Sequence, residues 1–207
     1  MSKGHASPIL YAVLAEPGYF SADLLPTLRK LGSPLEGHPN VRRLAGVEAS
    51  TGSLGQGLSI GLGHAFGARV DGKAYRVYVL LGDGECDEGQ VWEAAMAAEH
   101  HKVDNLVAIV DGNGMQQSGT VANVMSHGPL SAKFRAFGWH ALDIDGHDQQ
   151  AVLDAYAEVA RTKGKPTAII AKTVKGKGVS FMEPDFTWHG RAMNKEQAAQ
   201  ALKELGA

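Results

Sequence analysis

The pattern of hydrophobic and polar positions is clearest in residues 75–110. Two apolar runs, residues 75–81 and 105–110, flank a segment from about Gly89 to Lys102 that is predicted to be a helix. Both runs are short and rich in Val, Leu and Ile, as expected for parallel strands that are buried on both faces. A strand, a glycine-rich turn, a helix and a second strand together predict a βαβ unit.

The rest of the chain continues this alternation of elements. Two further strands are predicted, at residues 139–144 and 166–174. One predicted helix ends at Leu14, and the others span residues 20–31, 131–137, 148–162 and 194–205. Ser21, Asp148 and Asn194 are the predicted N-caps of three of them. These elements predict an α/β fold, a doubly wound and mostly parallel sheet with helices on both faces. We assign residues 1–207 to a single domain of this kind.

Residues 46–70 form a second distinctive block, in which glycine recurs at positions 57, 61, 63 and 67. Glycine costs about 1 kcal/mol per helix position relative to alanine, so a helix with several glycines needs a packing reason. Positions 57 and 61, and likewise 63 and 67, share helix faces where backbones could approach closely. His64 lies in the same helix and is predicted to be a buried structural histidine.

Polar side chains follow the first two predicted strands. Asp83 stands between Gly82 and Gly84 after the first strand, and Asn113 follows the second. The C-terminal ends of parallel strands meet at one edge of a sheet, where open α/β sheets bind ligands. Carboxylate and amide oxygens suit Mg²⁺, which completes its coordination with substrate phosphates. Glycines and a following helix N-terminus suit a phosphate, although a simple connecting turn would also explain the tripeptide.

Composition narrows the class of protein. The hydrophobic content of 44% argues against disorder, and a net charge of −2 predicts no nucleic acid and no membrane surface as a partner. The most apolar helical window, residues 51–70, contains polar residues and many glycines, so we do not expect it to span a membrane. No secretory leader is visible. Cys86 is the only cysteine. It is predicted to fill space rather than react, and it favours a reducing compartment, which we expect to be cytoplasmic.

The sequence around the two strand ends resembles a known family. Residues 82–94, with residues 113–116 about thirty positions later, resemble the thiamine diphosphate motif in the N-terminal half of transketolases. They are most similar to the split transketolases, whose N- and C-terminal halves are separate polypeptides. The resemblance extends from Ser2 to Gly190. Ser118, before Gly119, is a small departure from the family pattern.

The resemblance implies a diphosphate-binding (PP) domain with thiamine diphosphate and Mg²⁺ as cofactors, where Ca²⁺ or Mn²⁺ could replace Mg²⁺. The implied metal ligands are Asp83, Asn113 and the backbone carbonyl of Met115. The implied cofactor-binding residues are His5, Gly52, Leu54, Gly82, Asp83, Gly84, Glu88, Asn113 and His189. The implied catalytic residues, which would orient hydroxyls and shuttle protons, are His5, His38 and His189.

Simpler explanations stay open for several of these residues. His5 follows a glycine and could be a turn residue near a helix start. His38 precedes a proline in a loop, where an exposed histidine is ordinary. Glu88 and Glu93 lie at the start of a helix, where its dipole alone favours acids. The family instead suggests that these two acids lie near an interface that completes the cofactor site.

The implied reaction transfers a two-carbon ketol unit from a ketose or ketose phosphate to an aldose. In transketolases a glutamate from the following, pyrimidine-binding domain completes the site across a subunit interface, and here 17 residues follow Gly190. We therefore expect the partner to be a C-terminal transketolase subunit, in an α₂β₂ heterotetramer that acts on sugar phosphates. The family's N-terminal half begins some tens of residues earlier, so we also expect truncation there or a segment supplied by another polypeptide.

Other functions stay open at this stage. Deoxyxylulose-phosphate synthases and 2-oxo acid dehydrogenases share the spacing of Asp83 and Asn113, but not all the other segments of the resemblance. A two-component transketolase of a natural-product pathway would carry the same segments. A non-catalytic assembly subunit that kept the fold would also do so.

Overall fold

The computed structural model of the chain describes residues 1–206. The α-helices are α1 Ser7–Ala15, α2 Gln56–Val70, α3 Gly89–His100, α4 Val121–Val124, α5 Leu130–Ala136, α6 Gln149–Arg161 and α7 Lys195–Glu204. The strands are β1 Val77–Gly82, β2 Leu106–Gly112, β3 Met115–Gln116, β4 Gly119–Thr120, β5 His140–Asp145 and β6 Thr167–Lys172. Short 3₁₀ helices span Gly4–Ala6, Ala22–Thr27, Gly84–Asp87 and Phe186–Trp188.

Four strands form one parallel sheet in the order β1-β2-β6-β5. In the register between β1 and β2, Val77 lies opposite Leu106 and Gly82 lies opposite Asp111. The two strands therefore end side by side, at the same edge of the sheet. β3 and β4 pair as a small antiparallel hairpin just beyond β2.

Helices cover both faces of this sheet. On one face, α2, α3 and α5 form the main core with the strands, through residues such as Leu62, Val79, Ala95, Val110 and Phe134. On the other face, α6 packs against the sheet through Ala155 and Val159, which contact Val107 and Ile169. The predicted α/β fold, with its βαβ unit and two further parallel strands, is confirmed.

The glycines of α2 are explained on one face only. A Cβ atom on Gly61 would lie 2.4 Å from Val79 Cγ2, and one on Gly57 would lie 2.4 Å from Ser2 Cβ. These glycines therefore let α2 approach β1 and the N-terminal segment, as predicted. The prediction was wrong for the other pair, because a Cβ on Gly63 would meet nothing within 4 Å and the nearest atom to one on Gly67 is 3.8 Å away.

Most helix boundaries follow the predicted caps. Asp148 accepts hydrogen bonds from the backbone N–H groups at the start of α6, and Asn194 forms a capping box with Gln197 at the start of α7. Ser21 accepts the backbone N–H of Asp23, but the helix predicted at residues 20–31 is only the 3₁₀ helix Ala22–Thr27. Pro26 lies inside it and lacks the N–H that a longer α-helix needs. Within residues 1–206, no helix has both the length and the apolar character to cross a membrane.

Candidate functional site

A cavity of about 610 Å³ opens at the edge of the sheet where β1 and β2 end. Its wall is built from five parts of the chain: the N-terminal segment, the loop before α2, the turn after β1, the loop after β2, and the segment that follows β6. The cavity wall includes ten of the residues singled out in the sequence: His5, Gly52, Leu54, Gly82, Asp83, Gly84, Glu88, Asn113, Met115 and His189.

Asp83 joins the turn after β1 to the loop after β2. Its carboxylate is buried and accepts the backbone N–H of Gly84 at 2.8 Å and that of Gly114 at 2.6 Å. Burial raises the pKa of Asp83, and these two hydrogen bonds offset only part of that effect. Within residues 1–206, no cationic side chain forms a salt bridge with this carboxylate. A buried carboxylate of this kind would be stabilised by a bound cation.

Asn113 is held between two neighbours. Its Oδ1 accepts the backbone N–H of Met115 at 3.0 Å, and its Nδ2 donates to Asp111 at 3.2 Å. Asp111 also forms hydrogen bonds with Lys3 and Thr173. Burial would raise the pKa of Asp111, but the Lys3 ammonium and these hydrogen bonds outweigh burial and lower it. Asp111 is therefore ionised and pairs with Lys3.

The donor set suits a small hard cation in combination with a phosphate. Asp83 offers a carboxylate oxygen, Asn113 an amide oxygen and Met115 a backbone carbonyl, and all three residues line the cavity. Within the described residues, no group of three or more His, Cys, Asp or Glu side chains could hold a metal by itself. Mg²⁺ prefers six oxygens, so these donors need further oxygens from a bound phosphate. The residues therefore fit a metal ion that binds together with a diphosphate.

Two lysines and two histidines lie on the same wall. The rings of His5 and His189 stack with their centroids 5.0 Å apart, and Lys175 Nζ lies 3.5 Å from His189 Nδ1. Partial burial is the main cause that lowers the pKa of His5 to about 4, and electrostatic repulsion between a protonated His5 and its neighbours His189, Lys3 and Lys175 lowers it further. Burial and the two lysines also lower the pKa of His189. Both imidazoles are therefore neutral at pH 7. Lys3 is paired with Asp111, so Lys175 is the lysine on this wall whose positive charge is available to an anion.

Glu85 links the loop before α2 to the sheet edge through hydrogen bonds. It is buried, and it accepts hydrogen bonds from Ser2 Oγ, from the backbone N–H of Gly55 at 3.0 Å and from that of Gly82 at 3.0 Å. The sequence did not single out Glu85, Lys3 or Asp111, whereas Lys175 lies in the basic, glycine-rich segment 172–178 for which either a solvated loop or phosphate contact was expected. No local sequence signal shows that an acid or a lysine is buried, because its partners lie far away along the chain.

His38 is the one predicted catalytic residue that does not line the 610 Å³ cavity. It is exposed and packs behind the loop before α2, where a Cβ on Gly52 would lie 3.1 Å from His38 Cγ. His38 lines a separate, shallower cavity of about 360 Å³ with Ser53 and Gln56. It is nevertheless close enough to contribute to the lowered pKa of His5.

Two other side chains clarify the surroundings of the site. His64 is exposed on α2, so its prediction as a buried histidine was wrong. It lies outside the buried face of α2, which includes Gly57 and Gly61. Cys86 is buried and donates to the carbonyl of Gly82 at 3.4 Å. Burial raises the pKa of the Cys86 thiol, which leaves it protonated and unreactive.

The family model described as "Transketolase, thiamine diphosphate binding domain" matches residues 1–207. The chain is 43% identical over 205 residues to the 6-deoxy-6-sulfo-D-fructose transketolase subunit SqwG of Clostridium sp. (strain MSTE9), covering 99% of this chain and 74% of that protein. It is also 43% identical over 205 residues to one subunit of the apulose-4-phosphate transketolase of Phocaeicola vulgatus, covering 99% of this chain and 73% of that protein.

A solved structure from the same family also matches this chain. The crystal structure of transketolase from Campylobacter jejuni matches with a TM-score of 0.93 and 35% sequence identity. That match covers 99% of this chain but only 33% of the Campylobacter chain. The chain thus spans about three quarters of each of the two separate subunits and about a third of this transketolase.

Proposed function

The chain belongs to the transketolase family as its thiamine diphosphate-binding domain, and we propose that it is the diphosphate- and metal-binding subunit of a two-chain transketolase. The observation that carries the proposal is the position of Asp83. Its buried carboxylate links the ends of β1 and β2 within a cavity that also contains Asn113, Lys175 and His189. An anion with a hard cation fits this combination of charges.

In this proposal Asp83, Asn113 and the carbonyl of Met115 hold Mg²⁺, which Ca²⁺ or Mn²⁺ can replace. The metal stabilises the Asp83 carboxylate, whose burial without a cationic partner is otherwise costly. These donors would leave coordination positions for diphosphate oxygens, so metal and cofactor would bind interdependently. When bound, thiamine diphosphate supplies the carbon nucleophile for transfer of a two-carbon ketol unit.

The neutral histidines have a defined role in this arrangement. Lys175 Nζ lies 3.5 Å from His189 Nδ1, and because an ammonium can only donate, we assign the ring proton of the neutral His189 to Nε2. Nε2 can then donate a hydrogen bond to a phosphate or hydroxyl oxygen in the cavity. His5, stacked on His189, remains unprotonated at one nitrogen at pH 7 and can accept a proton from a hydroxyl. His38, outside the cavity, contacts the part of the donor substrate that extends from it.

The substrates and the partner follow from the family. SqwG and the Phocaeicola protein are both named as transketolase subunits. We propose that this chain likewise pairs with a C-terminal transketolase subunit, in a cytoplasmic α₂β₂ heterotetramer, and that its substrates are sugar phosphates. Within residues 1–206, the acids on the cavity wall all come from residues 83–88, next to the proposed metal. The partner therefore supplies the glutamate that acts at the other end of the cofactor.

The metal assignment is tested by Asp83→Ala in the assembled enzyme. Loss of the carboxylate should weaken both Mg²⁺ and thiamine diphosphate by at least about 10-fold, measured by calorimetry. Asp154→Ala, at an exposed position on α6, is the matched control and should bind as the wild type does. Unchanged cofactor affinity in Asp83→Ala would refute the metal site.

The partner is tested by an assay of the purified chain with thiamine diphosphate, Mg²⁺, a ketose phosphate and an aldose phosphate. We expect no turnover from the chain alone and turnover once the C-terminal subunit is added. Efficient turnover by the single polypeptide would contradict the two-chain proposal.

A further inference from the structure

A largely buried network lies directly behind Asn113. Asp111, near the end of β2, accepts hydrogen bonds from Lys3 Nζ and Thr173 Oγ1, and its Oδ2 also accepts from Asn113 Nδ2. The side chains of Lys3 and Asp111 are only 15% and 23% exposed. Asp111 thereby ties the N-terminal segment, the loop after β2 and the loop after β6 to one carboxylate.

Asp111 does not reach the cavity that contains Asp83. It lies on the wall of a separate cavity of about 440 Å³, on the far side of Asn113. Asn113, Lys3 and Lys175 line both cavities, and of these only Asn113 is both hydrogen-bonded to Asp111 and a proposed metal ligand. Asp111 can therefore act on the metal in two ways, by orienting Asn113 and by the direct effect of its charge, which also reaches Asp83.

The two ends of the Asn113 amide have different neighbours. Nδ2 faces the Asp111 carboxylate, and Oδ1 faces the backbone N–H of Met115. Asn113 Oδ1 and Asp83 thus accept the backbone N–H groups of two adjacent residues, Met115 and Gly114. A flipped amide would set Oδ1 against the carboxylate and Nδ2 against the N–H group, which places acceptor against acceptor and donor against donor.

We propose that Asp111 is a positioning residue that holds the Asn113 amide with its oxygen toward Asp83, where the metal binds. This inference rests on the proposed function, because it assumes that Asn113 Oδ1 is a metal ligand. Hydrogen-bond partners of metal ligands fix ligand orientation, and their loss typically costs about 10–100-fold in metal affinity. We expect a loss of this size when Asp111 no longer accepts from Asn113.

Charge and orientation can be separated by two substitutions. Asp111→Ala removes both the negative charge and the acceptor for Asn113 Nδ2. Asp111→Asn removes the charge but keeps an oxygen that can accept from Nδ2. If Asp111 acts by positioning, the alanine variant should lose far more metal affinity than the asparagine variant. If it acts by long-range attraction of the cation, both variants should lose equally.

The experiment titrates the chain, assembled with its C-terminal subunit, with Mn²⁺ in the presence of saturating thiamine diphosphate, with free Mn²⁺ followed by electron paramagnetic resonance. The expected Kd for Mn²⁺ rises about 10–100-fold in Asp111→Ala and changes little in Asp111→Asn. Asn113→Ala, which removes the ligand itself, should be at least as weak as Asp111→Ala. Asp154→Ala should match the wild type.

The outcomes distinguish this inference from the proposed function. Equal losses in the two Asp111 variants would overturn positioning, as would an unchanged Kd in Asp111→Ala with a raised Kd in Asn113→Ala. An unchanged Kd in Asn113→Ala, or no Mn²⁺ binding by the wild type, would refute the metal site itself and the inference with it. Should Asp111→Ala not fold, a loss of about 10-fold or more in Asp111→Asn still contradicts positioning, because that variant keeps the acceptor.

Discussion

Gly4 packs directly against the main chain of the loop before α2. It is buried in the 3₁₀ helix Gly4–Ala6, next to His5. A Cβ atom at Gly4 would lie 2.5 Å from the carbonyl oxygen of Thr51 and 2.7 Å from the backbone nitrogen of Gly52. Both neighbours are main-chain atoms, so no side chain can rotate away. Gly4→Ala must therefore move one backbone segment relative to the other.

The size of this movement follows from the contact distances. Ordinary van der Waals contact to a Cβ atom begins at 3.4 Å, so the loop has to shift by roughly 0.9 Å in a close-packed surrounding. Overpacking of this kind costs about 1–3 kcal/mol in the free energy of unfolding. For a chain of this length, that corresponds to a fall in Tm of about 2–12 °C. A displacement near 1 Å at a binding site can cost up to about 100-fold in activity.

Thermal unfolding and the affinity for thiamine diphosphate with Mg²⁺ measure the two effects. Gly4→Ala should lower both. Gly63→Ala is the matched control, because Gly63 is exposed in α2 and a Cβ there would meet nothing within 4 Å. Alanine is preferred over glycine inside a helix by about 0.5–1 kcal/mol, so Gly63→Ala should raise Tm and leave cofactor affinity unchanged.

Two results would refute this reasoning at different points. A wild-type Tm in Gly4→Ala would show that the contact with Thr51 and Gly52 yields without cost. A lowered Tm with unchanged cofactor affinity would show that the loop before α2 does not belong to the cofactor site.

Three further predictions concern side chains around the cavity. His38→Ala should raise the KM for the donor sugar and leave cofactor affinity unchanged, whereas His189→Ala should weaken the cofactor as well; equal effects in the two variants would contradict the placement of His38 outside the cavity. The pKa of His5 is lowered from 6.5 to about 4, so between these pH values the unfolded chain binds a proton at His5 that the folded chain does not. The free energy of unfolding should therefore fall as the pH falls from 6.5 to about 4. Urea titrations at several pH values should show a shallower fall in His5→Gln. Cys86 should resist iodoacetamide at pH 8 in the folded chain and react when unfolded; rapid alkylation of the folded chain would contradict its burial and raised pKa.

The sequence by itself determined the fold and one edge of the site. Short runs of Val, Leu and Ile separated by helical segments predicted parallel strands, and all four lie in one sheet. The same topology required that Asp83 and Asn113 follow neighbouring strand ends, because a crossover helix makes consecutive strands parallel. Residue type and local spacing suffice for these conclusions, since each depends on a short stretch of chain.

Only the tertiary structure decided which charged groups are buried around that edge. Lys3 and Asp111 are 108 positions apart, and Glu85 is 83 positions from Ser2 and 30 from Gly55. Whether an acid or a lysine is solvated or paired depends on partners that folding brings from such distances. For the same reason, the sequence could not show that His64 points to solvent or that His38 lies behind the loop containing Gly52 rather than in the cavity. Local patterns fix the elements, and the desolvation and pairing of charges arise only when those elements pack together.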